Sequence, residues 1–446
     1  MGKFFGTDGV RGVANKDLTP ELAFKLGWAA TTYFGRDHEK PTIVIGRDTR
    51  ISGQMLEAAL SAGICSAGGQ AIVLGIVPTP AVAYLAAKFH AQAGVVISAS
   101  HNPFPDNGIK FFAGNGYKLS DAVEEELEEL VINYDEEMQR PVGDKVGTIA
   151  YQHDLLKPYI DYLVSTVDVD FKGLKLVVDC AHGASYEVAP VVYKRLGAEV
   201  IVIHNQPTGV NINANCGSTH MEELQKAVIK HKADFGIAHD GDADRCLIVD
   251  EQGAIVDGDQ MMVICALDRL KSNTLKDNTL VATVMSNIGL YQAIKKAGGK
   301  VEVTAVGDRY VLEAMQEKSL MLGGEQSGHV IFAEHSTTGD GVLTALQVIA
   351  ALQRSGKKMS ELAALMTCYP QLLVNVRVAS KDGWEENKEI LKAIEDGNQE
   401  LGEDGRILVR PSGTEQLIRV MAEGPDMPTL EAIVHKIADI VKKEQG

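Results

Sequence analysis

The sequence predicts an α/β protein with three successive, similar α/β domains built on mixed sheets, followed by a smaller C-terminal α+β domain. Short aliphatic runs alternate with helix-type patterns over most of the 446 residues, as expected for sheets covered by helices. Glycine is frequent, at 44 residues, and aromatic residues make up only 6%, which is typical of α/β enzymes with aliphatic strands. At roughly 150 residues per domain, the length allows about three domains.

The first domain is predicted over residues 1–152. Aliphatic runs predict strands, and apolar periodicity predicts helices between them; the strands are 42–46, 71–75 and 94–97, and the helices are 55–67 and 121–134. Asp121 and Glu124 have the spacing of a capping box, so the acidic helix is predicted to begin with that motif.

The second and third domains, predicted over 153–255 and 256–368, repeat this alternation. Their strands are predicted at 174–179, 199–203, 233–238, 279–285 and 301–306, with helices ending near 197 and 297 and others beginning at 221 and 308. The last domain, 369–446, shows alternating strands instead, which indicates an antiparallel sheet. Its strands are predicted at 371–378, 406–410 and 416–423, and its helices at 384–401 and 428–443.

Composition excludes several classes of protein. Lys and Arg number 43 against 60 Asp and Glu, a formal charge of −17, so nucleic acid and anionic membranes are not expected partners. The six Cys show no C-x-x-C spacing, which gives no indication of a zinc site or a redox pair. No apolar run approaches 18 residues and the N-terminus has no apolar signal core, so we expect a cytoplasmic protein without membrane spans.

Two polar loops follow predicted strands, where open α/β sheets place ligands. The first, SASHNP at 98–103, contains Ser100 as a candidate nucleophile, although a plain turn is the alternative. The second, DGDADR at 240–245, places three carboxylates at alternate positions, a donor set that suits a hard cation such as Mg²⁺. An EF-hand fails because Arg245 stands where glycine is needed; a solvated acidic loop stays open.

Two further loops combine glycine with polar residues. GGEQSGH at 323–329 contains Glu325 and Ser327, which could project together toward hydroxyl groups, although taken alone it is more typical of a plain loop. His329 precedes an apolar run, so packing or support of the site is its expected role. RPSGTE at 410–415, followed by Arg419, combines guanidiniums, hydroxyls and free backbone N–H groups, as in a phosphate clasp; the alternative is a proline turn.

Phosphoryl transfer is the first function that uses all four loops. It requires positioning, a metal ion and cationic stabilisation of the transferred group. Arg11 in FGTDGVRG and Lys110 in DNGIKFF add the positive charge.

With these motifs, the chain resembles the α-D-phosphohexomutase family. TDGVRG, SASHNP, DGDADR, GEQSGH and RPSGTE occur in the family's order and at its usual separations, over essentially the whole length. Gln326 and the GDRYV stretch at 307–311 are similar to the branch that acts on glucosamine phosphates. The alternative is the branch that acts on mannose and glucose phosphates, which tends to have Met near Gln326; members that act on glucose phosphates tend to have an acidic residue there.

The resemblance implies four domains around a central cleft, with Ser100 carried as phosphoserine. It implies Mg²⁺ held by Asp240, Asp242, Asp244 and a phosphoserine oxygen. The expected reaction is an isomerisation between glucosamine 6-phosphate and glucosamine 1-phosphate through a sugar 1,6-bisphosphate. That reaction lies on the bacterial route to UDP-N-acetylglucosamine and cell wall.

The same resemblance implies roles for the remaining residues. The substrate is expected to contact the sugar loop and the last domain, at Glu325, Ser327, Arg309, Arg410, Ser412, Gly413, Thr414 and Arg419. Lys110 is the candidate general acid and base, with a pKa lowered by Arg11 and the metal; a purely charge-neutralising role is the alternative. Arg11 assists catalysis, and His101 is expected to orient the serine.

Two other function classes stay open at this point. A metal-dependent phosphatase would use the same serine and carboxylates but release the phosphoryl group to water. A sugar-phosphate sensor would bind without turnover, although the intact SASHNP and DGDADR loops argue against it. The expected partners are hexosamine phosphates and a second copy of the chain in a homodimer.

Overall fold

The fold was analysed in a computed structural model that describes residues 4–6, 8–135, 137, 139–412 and 415–446. In these residues the chain forms four sheets, of seven, five, four and three strands. The first three carry helices on their faces and the last is antiparallel. The predicted fold class is therefore confirmed.

The first sheet has the strand order β1-β2-β6-β5-β3-β4-β7. Its parallel part is β5-β3-β4-β7, and the strands before it pair antiparallel. The strands are β1 (Phe5–Gly6), β2 (Gly9–Val13), β3 (Thr42–Arg47), β4 (Gln70–Ile76), β5 (Ala93–Ile97), β6 (Asp106–Ala113) and β7 (Thr148–Tyr151). The helices are α1 (Pro20–Phe34), α2 (Gly53–Ser66), α3 (Thr79–Lys88) and α4 (Asp121–Ile132).

The second sheet has the order β12-β11-β10-β8-β9. Strands β10, β8 and β9 are parallel, and β11 and β12 extend the sheet antiparallel. The elements are α5 (Leu156–Ser165), β8 (Lys175–Asp179), α6 (Val188–Arg195), β9 (Glu199–Ile203), α7 (Glu222–His231), β10 (Phe235–His239), β11 (Cys246–Asp250) and β12 (Ile255–Val256).

The third sheet has the order β14-β13-β15-β16, with β13 and β15 parallel and β15 and β16 antiparallel. The elements here are α8 (Gly258–Lys271), β13 (Thr279–Thr283), α9 (Ile288–Lys296), β14 (Lys300–Thr304), α10 (Asp308–Lys318), β15 (Leu322–Gly324), β16 (Val330–Phe332), α11 (Gly341–Ser355) and α12 (Met359–Ala363).

The last sheet has the order β17-β19-β18 and is antiparallel throughout. Its elements are β17 (Gln371–Arg377), α13 (Lys388–Leu401), β18 (Arg406–Pro411), β19 (Leu417–Glu423) and α14 (Met427–Gln445). Helices α13 and α14 cover it with a core that includes Ile390, Val420 and Val434.

The chain divides into two compact units. One comprises Met1–Val284 and Glu302–Ala364, and the other comprises Met285–Val301 and Leu365–Gly446. The predicted domain boundaries at 153, 256 and 369 stay predictions. Among the described helices, none has both the length and the apolar character that crossing a membrane requires.

Two helix starts differ from the sequence prediction. The capping box predicted at Asp121 is wrong: Ser120 is the N-cap, no side chain caps the helix, and the Asp121 carboxylate binds the Arg309 guanidinium instead. The helix predicted from residue 384 begins at Lys388, because the Asn387 side chain accepts hydrogen bonds from the first backbone N–H groups of α13.

The strands position the functional loops. Strands β5, β10 and β15 are buried along their whole length, which suits central strands of covered sheets. Each runs parallel to a neighbouring strand and ends directly before one of the polar loops noted in the sequence, at residues 98, 240 and 325. The loops therefore begin from rigid sheet edges.

Close contact between α1 and α2 depends on glycine. A Cβ atom at Gly63 would lie 2.0 Å from the carbonyl oxygen of Phe24, and one at Gly27 would lie 2.2 Å from that of Leu60. Backbone atoms cannot move aside as a flexible side chain can. The absence of a side chain at these two positions lets the helices approach.

Gly63→Ala should therefore destabilise the protein by about 1–3 kcal/mol through overpacking, although the same change in an exposed helix stabilises by roughly 1 kcal/mol. Urea unfolding measures the effect. Ala62→Gly, at an exposed position of the same helix, is the control and should cost only about 1 kcal/mol. A stabilised Gly63→Ala variant would contradict the close approach of the helices.

Candidate active site

Three of the polar loops open onto one cavity in the larger unit. Its volume is about 520 Å³. The residues that line it come from the first hairpin, from the loops after β5, β10 and β15, and from the start of α10; they include Asp8, Arg11, Ser100, His101, Asp244, Arg245, Arg309, Glu325 and His329. The structure thus brings together most of the residues that the sequence singled out in this unit.

Ser100 lies in a tightly defined turn. Its backbone has the left-handed φ of 50°, its N–H donates to Ser98 Oγ at 2.9 Å, and the residue is only 2% exposed. Ser100 Oγ donates to Asp240 Oδ2 at 2.7 Å and lies 3.2 Å from His101 Nδ1. Burial lowers the pKa of His101, so a neutral imidazole lies beside the hydroxyl, as an orienting group would.

Asp240, Asp242 and Asp244 form a buried triad whose carboxylate oxygens lie within 4.8 Å of one another. Burial and the other two carboxylates raise the pKa of Asp240. One oxygen each of Asp242 and Asp244 is buried with no hydrogen-bond partner in the described structure, which is costly for an acceptor. Carboxylate oxygens that repel one another and lack hydrogen-bond partners are suitable ligands for a hard divalent cation.

Lys110 lies at the same place, 3% exposed. Its Nζ is 3.1 Å from Asp242 Oδ2 and 3.0 Å from Asp8 Oδ2. Burial alone would lower its pKa, but the carboxylates of Asp242, Asp8 and Asp244 together raise it above the usual value. The sequence predicted a pKa lowered by Arg11 and a bound cation; among the residues of the chain alone, the adjacent carboxylates outweigh Arg11.

A network of charged side chains surrounds Lys110, and the sequence predicted only part of it. Asp8 binds Arg11 and accepts a hydrogen bond from Lys118 Nζ at 2.7 Å, and Lys118 also binds Asp308. Although burial alone would raise the pKa of Asp8, the neighbouring lysines hold it well below its usual value. Asp8 is part of the TDGVRG motif and Asp308 of the GDRYV stretch, but no pattern in the sequence marks Lys118.

His329 supports the carboxylate triad from the other side. Its Nδ1 lies 3.6 Å from Asp244 Oδ2, and Nε2 accepts from the N–H of Gly339 at 3.2 Å. Because Nε2 is an acceptor, Nδ1 carries the proton and faces Asp244. This agrees with the supporting role expected from the sequence.

The loop after β15 divides its side chains between the cavity and the interior. Glu325 lines the cavity and accepts from the N–H of Gly307 at 3.0 Å. Ser327 Oγ is buried and has no partner in the described structure. Gln326 turns inward, and its Nε2 donates to Asp257 Oδ2 at 3.1 Å. Gln326 therefore holds the loop.

Arg309, also expected at the substrate, lines the cavity but binds two carboxylates, Asp121 and Glu313. Its guanidinium is 38% exposed. A substrate anion would have to compete with these two carboxylates for the Arg309 guanidinium.

In the smaller unit, Arg410 and Arg419 occupy opposite positions of the β18–β19 ladder, so their side chains share one face. Burial and the neighbouring Arg419 lower the pKa of Arg410. Ser412 Oγ accepts from the N–H of Glu415 at 3.3 Å; Gly413 and Thr414 lie outside the described residues. Two adjacent guanidiniums favour an anion.

Four successive parts of the chain match the four domains of one protein family. Residues 2–138, 157–253 and 257–369 match phosphoglucomutase/phosphomannomutase alpha/beta/alpha domains I, II and III, and residues 373–440 match the C-terminal domain of the same family. Together these ranges cover nearly the whole chain.

Curated relatives share more than half of their residues with this chain. Phosphoglucosamine mutases of Desulforamulus reducens and Pelotomaculum thermopropionicum are 54% and 56% identical to it, over 99% of this chain and 99% and 100% of their own lengths.

A crystal structure of a phosphoglucomutase/phosphomannomutase family protein from Burkholderia thailandensis superimposes with a TM-score of 0.82 at 24% identity, covering 98% of this chain and 97% of that one. Aspergillus fumigatus N-acetylphosphoglucosamine mutase, solved with GlcNAc-6P and magnesium, gives a TM-score of 0.69 at 19% identity over 100% and 96%. Both share the fold.

The triad leads to a prediction about cation binding. Asp240→Asn should raise the melting temperature without divalent ions by about 1–2 °C, or roughly 1 kcal/mol for a unit of this size, because it removes one of three repelling charges. Excess magnesium chloride should raise the melting temperature of the unmodified protein, and most of this rise should be lost in Asp240→Asn. Calorimetry in EDTA and in magnesium measures both effects.

The control is Glu395→Gln, which removes an exposed carboxylate and should change neither value. An undiminished magnesium response in Asp240→Asn would place the cation elsewhere.

Proposed function

The chain belongs to the phosphoglucomutase/phosphomannomutase family, and on this premise we propose that it is a phosphoglucosamine mutase, an isomerase that interconverts glucosamine 6-phosphate and glucosamine 1-phosphate. The observation that carries this proposal is Ser100 Oγ at 2.7 Å from Asp240, within a buried carboxylate triad and beside Lys110. Relatives with that activity in their names share 54–56% of its residues over nearly the whole length.

The proposed reaction uses Ser100 as the phosphoryl carrier. The Ser100 Oγ–P bond breaks as a bond forms between phosphorus and the free hydroxyl of the sugar monophosphate, and the hydroxyl proton leaves to a base. The product is a sugar 1,6-bisphosphate. After this intermediate turns around, its other phosphoryl group returns to Ser100 and the isomeric monophosphate is released.

Mg²⁺ is the proposed cation, held by Asp240, Asp242 and Asp244 with an oxygen of phosphorylated Ser100. When bound, it would neutralise charge on the transferred phosphoryl group. The chain's own cations are Lys110, which binds Asp242 and Asp8, and Arg11, which binds Asp8; they would stabilise the charge that develops on the equatorial oxygens. Lys110 is also the candidate base; its contacts with two carboxylates support the charge-neutralising role.

The remaining groups are assigned to binding. Glu325, which lines the cavity, would accept hydrogen bonds from sugar hydroxyls, with Ser327 and Arg309 assisting. The phosphate that is not reacting would bind at Arg410, Ser412, Gly413, Thr414 and Arg419. A sugar 1,6-bisphosphate would also activate enzyme that has lost its phosphoryl group. A homodimer and a cytoplasmic location stay predictions from the sequence.

Ser100→Ala should lower kcat on the order of 10³-fold or more, because it removes the nucleophile itself. Intact-mass measurement should find one phosphoryl group on the unmodified protein and none on the variant. Ser165→Ala, at an exposed serine, is the control and should keep both activity and modification. Full activity of Ser100→Ala would exclude the covalent route.

An assay of the reaction products separates a mutase from a phosphatase. Glucosamine 1-phosphate and inorganic phosphate are measured together during turnover of glucosamine 6-phosphate. A mutase forms the isomer with little free phosphate, whereas a phosphatase releases phosphate and glucosamine and forms no isomer.

Gln326→Met should lower kcat/KM for glucosamine, mannose and glucose 6-phosphates by similar factors, equivalent to about 1–3 kcal/mol, because the lost contact is to Asp257 rather than to the sugar. Comparing the three substrates measures this. A loss confined to glucosamine 6-phosphate would instead indicate a direct contact with its amino group.

A further inference from the structure

The turn that carries Ser100 is held from two sides at its carbonyl oxygens. Arg50, only 1% exposed, donates from Nη2 to the carbonyls of Ser100 and Asn102 at 3.0 and 2.8 Å. Asn213 donates from Nδ2 to the same two carbonyls, at 2.9 and 3.0 Å. A carbonyl oxygen has two lone pairs, so both carbonyls of the turn are fully used.

The two donors belong to different sheets. Arg50 follows β3 of the first sheet and is oriented by its ion pair with Asp48 at 2.9 Å. Asn213 lies between β9 and α7, beside the second sheet, which also carries Asp240 at the end of β10. Asn213 therefore ties the serine turn to the part of the molecule that presents the carboxylate triad.

The buried carboxylate of Asp179 holds the segment that contains Asn213 through hydrogen bonds on both sides of that residue. Asp179, at the end of β8, accepts from His204 Nδ1 at 2.9 Å and from the N–H of Gly217 at 3.0 Å. It also accepts from the N–H of Ala181 at 2.8 Å, and the carbonyl of Ala181 accepts from the N–H of Asn213 at 3.0 Å. With its oxygens occupied in this way, Asp179 acts as the anchor of the segment.

The contact region is also closely packed. A Cβ atom at Gly241, the residue after Asp240, would lie 2.5 Å from the Ser100 carbonyl oxygen and 2.8 Å from Asn213 Nδ2. Ser100 and Asn213 both have left-handed backbones, with φ of 50° and 57°. The turn, the amide and the metal-binding loop therefore have little freedom to shift independently.

From this geometry we propose that Asn213 is a positioning residue for phosphoryl transfer: its side-chain amide fixes the Ser100 turn against the Asp240 loop and so aims Ser100 Oγ at the reacting phosphorus. The proposal rests on the proposed function of Ser100. Asn213 does not line the cavity in the described structure, so it acts through the turn and not on the substrate.

The test replaces the donor while keeping the backbone. Asn213→Asp has the same shape and also tolerates a left-handed backbone, but it cannot donate and its charge faces two carbonyl oxygens. Asn213→Gly removes the amide without backbone strain. A misplacement of about 1 Å costs roughly 100-fold in rate, so kcat should fall about 10- to 100-fold in both variants.

The KM for glucosamine 6-phosphate should stay within about twofold, since no substrate contact is lost. The matched control is Asn215→Asp, on the same segment with φ of 54° and an exposed side chain, which should keep kcat. Asn213→Gln supplies a donor on a longer chain and should recover part of kcat.

Three outcomes would overturn the proposal: unchanged kcat in both Asn213 variants, a loss seen equally in Asn215→Asp, or a rise in KM at constant kcat. If Asn213→Asp fails to fold, as judged by its melting temperature, the Gly variant decides. Failure of the proposed function itself is recognised separately, because the unmodified protein would then carry no phosphoryl group on Ser100.

Discussion

The mutual repulsion of Asp240, Asp242 and Asp244 is the constraint on which the rest of the site depends. Three carboxylates within 4.8 Å of one another and almost wholly buried are unfavourable unless positive charge or hydrogen-bond donors compensate. Lys110, Ser100 and His329 each face one of the three. The two oxygens that remain unpartnered are the part of this charge that a cation can satisfy.

The second sheet of the larger unit carries this negative charge, and the first and third sheets supply the groups that compensate for it. Lys110 is on β6 of the first sheet, the carboxylates follow β10 of the second, and His329 precedes β16 of the third. Lys118 extends the same pattern, because it binds Asp8 and Asp308 from two different sheets. Charges that must meet across sheets make the site sensitive to how the three pack together.

The sequence predicted those parts of the structure that depend on local patterns. Strand β9 was predicted at its observed bounds, and most others within two residues, because buried aliphatic runs bounded by polar loops are unambiguous. The loop residues Ser100 and Asp240 were predicted because their loops follow such strands, and Glu325 was predicted because its loop combines glycines with polar residues. The capping box predicted at Asp121 does not form, because the Asp121 carboxylate binds the guanidinium of a distant residue, Arg309, instead.

Contacts between distant segments account for what the sequence did not predict. Asn213 and Ser100 are 113 residues apart, and nothing in the NINANCG run marks an amide that crosses to another sheet. The raising effect of Asp8 and Asp242 on the pKa of Lys110 was missed for the same reason, since both carboxylates approach it only in the folded chain.

Left-handed backbones at non-glycine residues show how the site is held in place. Ser100, Ala181, Asn213 and Ala243 have φ between 50° and 59°, and each such residue costs on the order of 1 kcal/mol or more unless its surroundings stabilise it. The fully buried strands β5 and β10 provide stability that offsets this cost. Because glycine would relieve the strain but free the backbone, side chains at these positions favour a single geometry of the serine and carboxylate loops over a more mobile one.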